Sequence, residues 1–285
     1  MKIGLSTYSL LQAIKSGALD PLDILDWTAA RGGAHVEIVP IGFEVADDRA
    51  DQFRERAQHL KIAISNYLIG ADFIKNDENG YEQEVERVLR QVDVAKRLGV
   101  SLMRHDVAWR PPADATIWRF EDDLPRIVKA CQRVADYAQS LGIVTTVENH
   151  GYFVQHSDRV LRLVQEVNRP NFRLTVDVGN FLCVDEDPVA AVQKCLPYAA
   201  MIHLKDFYVR YDQSSPGHGW FATAGGHFLR GAMIGHGDVR LRAIVAAIRR
   251  SGYDGFVSVE FEGLEESRLG SEESLKNARA LLEQS

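Results

Sequence analysis

A chain of 285 residues, 46% hydrophobic and 26% charged, holds enough apolar material for one large α/β domain or two smaller ones. Its net charge of -7 argues against a duplex-binding surface built on phosphate neutralisation. No apolar run reaches the roughly 20 residues that span a bilayer, so neither nucleic acid nor a membrane is expected as a partner. The three cysteines, Cys131, Cys183 and Cys195, are odd in number and form no C-x-x-C pair, which predicts a reduced, cytoplasmic setting. The opening MKIGLSTYSL runs straight into a strand pattern, with no long apolar stretch and no small-residue cleavage site, so no signal peptide is expected.

The first strand is predicted over residues 2–8, KIGLSTY. Asp20-Pro21 supplies an N-cap with proline at the first helical position, for a helix that runs to Arg31 and stops at Gly32-Gly33. The second strand is HVEIV, 35–39, with Glu37 inside it. A helix over 47–60 leads to a third strand, IAISNYL, over 62–68. The polar stretch 72–81 reads as a loop, before a helix over 82–98 that Gly99 ends. The fourth strand, 100–103, runs into Arg104-His105-Asp106. A long loop with Trp109 and Pro111-Pro112 leads to a helix ending at Leu141-Gly142. The fifth strand opens with Val144, Thr145, Thr146 and Val147, all β-branched, and Gly151 ends it. Ser157 is expected to cap a helix to Asn168, and the sixth strand is 172–178, FRLTVDV. Asp187-Pro188 repeats the cap-plus-proline device, and AMIHL, 200–204, is the seventh strand. Residues 207–237, rich in Gly, His and aromatics, read as a long irregular segment. Asp238 is expected to cap a helix to Arg250, FVSVEF, 256–261, is the eighth strand, and Ser271 is expected to cap the last helix.

Eight strands and eight helices in strict alternation, mostly about 30 residues from strand to strand, predict a single (β/α)8 TIM barrel. It spans 1–285 as one domain, with a loop insertion at about 207–237 after the seventh strand. A doubly wound open sheet is the alternative, but no G-x-G-x-x-G follows the first strand.

In such a barrel the chemistry sits where strands end and βα loops begin. The tails of strands five to eight carry Glu148, Asp177, His203 and Glu260. Each alone could sit in a rim ion pair. Three carboxylates converging on one mouth would repel strongly unless a cation holds them. A donor set of three oxygens and one nitrogen with open positions suits Mn2+, Co2+ or Mg2+. Zn2+ is less favoured by a set with no cysteine and one histidine.

The tails VENH, DVGN, IHLKD and VEFEG, in that order along the barrel pattern, resemble the sugar phosphate isomerase/epimerase superfamily, the xylose isomerase-like group. That resemblance covers nearly the whole chain and implies metal ligation by Glu148, Asp177, His203 and Glu260. It also implies that Glu148 and Glu260 form the acid/base pair on opposite faces of a substrate. Lys205 matches a lysine of the H-x-K-D version of the seventh strand, where it would polarise a carbonyl. Asn180 falls where epimerases often place a substrate-binding histidine, a departure that puts the usual free-ketohexose pose in doubt. His236, in GHGD before the last crossover helix, falls where family members often contact substrate. Dimers or tetramers are frequent in the family.

The chemistry follows from below. Removing a proton next to a carbonyl gives an enediolate, whose developing charge a divalent ion would stabilise. One carboxylate takes the proton and another returns it. If a β-hydroxyl leaves instead, the same site is a dehydratase. Further substrate contacts are expected from Arg104 and His105 at the end of strand four, from His150 two residues after Glu148, and from Glu37, which could also stand behind the ligands. Glu262 shares a face with Glu260 and reads as a rim carboxylate. His218 and His227 read as surface residues. Trp109 and Phe73 are either sugar-stacking walls or core aromatics.

The expected activity is therefore a divalent-metal-dependent sugar isomerase or epimerase acting on a small sugar or polyol-derived carbonyl compound. A keto-sugar or inosose dehydratase or lyase is the alternative. An endonuclease IV-like phosphodiesterase lacks the extra histidines of a three-metal cluster. A catalytically silent sugar-binding subunit is opposed by the presence of both glutamates. No Gly-rich phosphate cradle follows strands seven or eight, which favours an unphosphorylated substrate.

Overall fold

The computed structural model describes residues 1–74, 77–211 and 214–284. Eight parallel strands close into a barrel: β1 (Lys2–Ser6), β2 (His35–Ile38), β3 (Ala63–Ile69), β4 (Leu102–His105), β5 (Val144–Glu148), β6 (Phe172–Asp177), β7 (Ala199–Leu204) and, after an insertion described below, β11 (Phe256–Val259). The helices that follow them are α2 (Asp23–Ala30), preceded by the short α1 (Leu11–Lys15), then α3 (Asp47–Leu60), α4 (Glu78–Leu98), α5 (Ile117–Ser140), α6 (Ser157–Val167), α7 (Pro188–Cys195), α8 (Leu241–Arg250) and α9 (Ser267–Gln284). Among the described residues no helix is long and apolar enough to cross a membrane.

Strand alternation divides the molecule into two environments. One set of side chains, including Val36, Val147, Val176, Ile202 and Val257, is buried beneath the helices, where α4 contributes Val85, Val88 and Val92. The other set faces the barrel interior and includes many polar residues. Thr146 and Thr175 share a hydrogen bond of 2.8 Å between β5 and β6, and His35 Nδ1 lies 2.7 Å from Ser65 Oγ between β2 and β3. Gly4 is required at this end, because a Cβ there would lie 2.1 Å from the carbonyl oxygen of His35 and 2.5 Å from its ring.

Three expected caps act elsewhere. The Ser157 hydroxyl donates to Glu186 and its N–H to Glu186 Oε2 at 2.8 Å, so the neighbouring loop holds that helix start. Asp238 accepts from the Val209 N–H at 2.7 Å, and α8 begins later, at Leu241. Ser271 lies inside α9 and donates to the Ser9 carbonyl. The Asp187 cap forms as expected, accepting from the Ala190 N–H at 2.9 Å. Helix α4 starts earlier than expected because Asp77 caps it, accepting from the Gly80 N–H; residues 75 and 76 of the preceding loop lie outside the described residues.

The segment read as irregular contains an antiparallel sheet of β8 (Asp206–Arg210), β9 (Phe221–Ala222) and β10 (Phe228–Ala232), in the order β8-β10-β9. Residues 212 and 213 of this segment are outside the description. Phe207 and Leu229 bury one face of the sheet against Cys183. Asp206 fastens the exit of the segment by accepting from the N–H groups of Gly235, Gly237 and Val239 at 2.9, 3.0 and 3.2 Å.

Substituting Gly4→Ala is expected to force β1 and β2 apart at His35 and to destabilise the protein by about 1–3 kcal/mol, the usual cost of overpacking a filled interior. Urea unfolding of the two proteins measures it.

Candidate metal centre and substrate cavity

Glu148 closes β5, Asp177 closes β6, His203 is the penultimate residue of β7, and Glu260 directly follows β11. The register places Asp177 opposite His203 and His203 opposite Ser258, and the Glu260 N–H bonds the Leu204 carbonyl. All four side chains are buried and offer ligand atoms within 4.8 Å of one another. Asp177 Oδ2 and His203 Nδ1 are buried without a well-directed hydrogen bond. Oxygen-rich donors with open valences fit a hard or borderline divalent cation.

Each donor is held from behind. Glu37 approaches His203 Nε2 at 3.0 and 3.1 Å, and Asn66 Nδ2 donates to Glu37 at 2.9 Å. That contact assigns the Nε2 proton and turns Nδ1 towards the other three donors. Asp177 Oδ1 accepts from the N–H groups of Gly179 and Asn180 at 2.8 and 2.9 Å, leaving Oδ2 for the centre. A Cβ on Gly179 would lie 2.9 Å from the Lys205 carbonyl oxygen, so only glycine allows this tight turn. The Asn149 amide clamps the Asp177 backbone at both ends, at 2.8 and 2.9 Å. Ser6 donates to Glu260 at 3.3 Å.

Cations stand among the carboxylates. Lys205 Nζ lies 3.2 Å from both Asp177 Oδ2 and Glu260 Oε2, and 3.3 Å from Glu262 Oε2. Arg104 bridges Glu148 at 3.0 Å and Asp106 at 2.8 Å. Burial opposes ionisation of Glu260, but the charges of Lys205 and His203 prevail and hold its carboxyl well below the ordinary range. For Asp177, burial, aided by Glu148 and Glu260, outweighs Lys205 and raises the carboxyl. Burial disfavours protonation of His203, yet Glu37, Glu260 and Glu148 together raise its imidazole well above the ordinary value. Burial likewise opposes the charge on Lys205, and Asp177, Glu260 and Glu262 overcome it.

Above the cluster lies a cavity of about 490 Å³, lined by Glu148, Lys205 and Glu260 together with Arg104, Asp106, His150 and Glu262. Of the substrate contacts expected from sequence, Arg104 and His150 line this cavity, and His150 Nδ1 meets Asp106 Oδ1 at 3.3 Å. Asn180 lies at the floor, donating to Glu148 at 3.0 Å and accepting from Lys205 at 3.2 Å. Glu37 takes the other place expected for it, fully buried behind His203. Two others are placed differently. His105 points into the shell between Phe73 and Phe172, where burial lowers its pKa to about 4. His236 is exposed and lines a separate cavity beside α8 and α9, because Asp206 draws the flanking glycines the other way. Phe73 is a core aromatic, Trp109 is exposed, His218 is exposed, and His227 packs edge-on to Tyr211. Tyr8 lines the cavity, where burial and then the charge of Glu262 push its phenol up to about 12. It lay in the expected first strand but its neighbours gave no chemical signal.

A model of the xylose isomerase-like TIM barrel family matches residues 25–284. The chain belongs to that family. Inosose dehydratase of Lacticaseibacillus casei is 28% identical over 149 residues, 50% of this chain and 48% of that protein, so the chain spans about half the length of this relative. Among solved structures, the probable 3-DHS dehydratase AsbF of Bacillus anthracis gives a TM-score of 0.76 at 16% identity, over 98% of this chain and 99% of that one. D-allulose 3-epimerase of Methylomonas sp. gives 0.74 at 18% identity, over 99% and 98%. These structural likenesses speak for the fold. The relatives named are enzymes, two of them dehydratases and one an epimerase.

Two outcomes are expected from this geometry. Glu37→Gln should weaken binding of Mn2+ about 10- to 100-fold, the usual effect of losing the group behind a histidine ligand, as measured by isothermal titration. Asp106 is held at a pKa of about 2: burial opposes its ionisation, but Arg104 and His150 prevail. A depressed carboxylate contributes stability that is present above its unfolded pKa and lost as pH falls through the folded one. Asp106→Asn should therefore remove roughly 2 kcal/mol of stability at neutral pH and flatten the decline between about pH 4 and pH 2 in acid unfolding curves.

Proposed function

We propose that this protein is an enzyme that abstracts a proton next to the carbonyl of a sugar or polyol-derived ketone, with isomerisation or epimerisation as the outcome. The reading rests on one observation above all: two glutamates that flank a buried cation-binding geometry also face an open cavity. Glu148, Asp177, His203 and Glu260 would hold a divalent cation, Mn2+ in the first instance, with Co2+, Mg2+ or Zn2+ as alternatives. When bound, such an ion draws electron density from the substrate's oxygens and makes the neighbouring C–H more acidic.

The side chains divide the remaining work. Glu260, steadied by the Ser6 hydroxyl, takes the proton on one side of the cluster. Glu148, on the other side of the cluster and steadied by Arg104 and Asn180, returns a proton to the opposite face. Lys205 points an ammonium donor into the cavity and orients the carbonyl oxygen. Arg104 and His150 contact hydroxyls at the wall.

A dehydratase is the second reading, and Lys205 favours it. Its ammonium lies between Glu260 and Glu262, so it can deliver a proton to a departing β-hydroxyl, which leaves as water while Glu260 takes the C–H proton and the C–H electron pair forms the new double bond.

Proton NMR in D2O tests the reading. Mn2+-loaded protein is given ketoses, 3-keto sugars and inososes. Wild type is expected to lose the C–H signal next to the carbonyl of at least one of them, and Glu260→Gln to lose it at least a hundredfold more slowly. Absence of exchange across the panel, together with no tight Mn2+ binding, would refute it. The product spectrum separates epimer, aldose and dehydrated species.

A further inference from the structure

Lys205 has more acceptors than donors. An ammonium carries three N–H groups. Around this one stand Asp177 Oδ2 and Glu260 Oε2 at 3.2 Å, Asn180 Oδ1 at 3.2 Å and Glu262 Oε2 at 3.3 Å. The four divide evenly by role. Asp177 and Glu260 belong to the set that can hold a metal ion, whereas Asn180 and Glu262 stand outside it.

The two pairs also differ in how they are held. The Asn180 oxygen accepts a hydrogen bond from Lys205, and its amide nitrogen is fixed on Glu148 at 3.0 Å. Asp177 Oδ2 receives no well-directed hydrogen bond, so charge alone ties it to the ammonium. Glu262 follows Glu260 by two residues and lines the cavity. Its side chain is 25% exposed, against 9% for Glu260 and none for Asp177, so it is the outermost of the three carboxylates on Lys205. A divalent cation held by Glu148, Asp177, His203 and Glu260 would draw on the same oxygens that Lys205 touches. Two cations sharing those oxygens in a poorly solvated interior repel each other.

Resting on the reading of these four residues as a metal site, we infer that Lys205 competes with the ion for Asp177 and Glu260, and that Glu262 is a positioning residue that draws the lysine off them. With the ion bound, Lys205 keeps Asn180 and Glu262 and gives up the other two. Two of its N–H groups stay engaged and the third is free to donate to a substrate oxygen in the cavity. Metal loading and release of the lysine donor thereby become one event.

Isothermal titration of Mn2+ into chelator-treated protein, at about pH 8 where carboxylates are ionised, tests this. Lys205→Met removes the competing charge and is expected to bind Mn2+ at least about tenfold more tightly than wild type. Glu262→Gln leaves the competitor without its outer anchor and is expected to bind about tenfold more weakly. In a Lys205→Met background the Glu262→Gln change should shift the constant less than about twofold, because it acts through the lysine. A Lys205→Met protein that binds no more tightly than wild type overturns the inference and leaves the metal site standing. An equal loss from Glu262→Gln with and without the lysine also overturns it, since Glu262 would then attract the ion directly. If neither wild type nor Lys205→Met binds Mn2+, the metal site and the inference fall together. Circular dichroism checks the fold of each variant. Should Lys205→Met not fold, Lys205→Gln, which keeps an N–H donor for Asn180 without the charge, takes its place with the same expected gain.

Discussion

Carboxylates buried side by side at the end of a barrel repel one another, and this structure answers the repulsion with cations threaded between them. Glu37, Glu148, Asp177 and Glu260 surround His203, Lys205 and Arg104, and carboxylates and cations alternate through the group. At 3 to 4 Å in a poorly solvated interior, such attractions exceed those of an exposed ion pair. Removing one member would leave the others uncompensated, a larger penalty than the pair itself is worth. The hydrogen bonds from Asn66, Asn149, Asn180 and Ser6 belong to the same arrangement, since each fixes a carboxylate or its backbone where charge alone would leave it free to turn.

A polar interior of this kind depends on the shell around it. The inward threonines, serines and histidine pair across strands, which contributes little beyond satisfying buried groups. Cohesion comes from the opposite faces of the same strands, where Val147, Val176, Ile202 and Val257 pack beneath the helices. Because the side-chain period is two, a slip of one residue in β5 would turn Glu148 into the apolar shell and Val147 into the charged centre. The fold and the site are thus set by the same register.

That shared register explains what was legible in the sequence. The eight barrel strands, their order and the four converging tails follow from β-branched runs ending in Glu148, Asp177, His203 and Glu260. What escaped was decided by contacts distant in the chain. Ser157, Asp238 and Ser271 look like caps locally, but Glu186, Val209 and Ser9 claim them. His105 and Arg104 are neighbours in sequence, and alternation sends one into the shell and the other into the cavity. The small sheet of β8, β9 and β10 was hidden because the glycines in and between its strands read as loop.

Lys205 and Asn180 bear most directly on the reaction. Asn180 offers its oxygen to Lys205 and its nitrogen to Glu148, so one amide couples the donor to a candidate base. A histidine in that position would add a group able to carry a proton, whereas an amide at neutral pH only holds its partners. In the proposed reaction the proton traffic at the floor therefore falls to Glu148, Glu260 and Lys205. Lys205 has Glu262 as a further contact on the cavity side, at 3.3 Å. If the ammonium only polarises a carbonyl, Glu262 is a counter-charge. If it surrenders a proton to a leaving hydroxyl, Glu262 is the neighbour that keeps it protonated until the moment of transfer, because a nearby carboxylate favours the charged amine. The same lysine thus serves both outcomes, and the position of the substrate's hydroxyls relative to it selects between them.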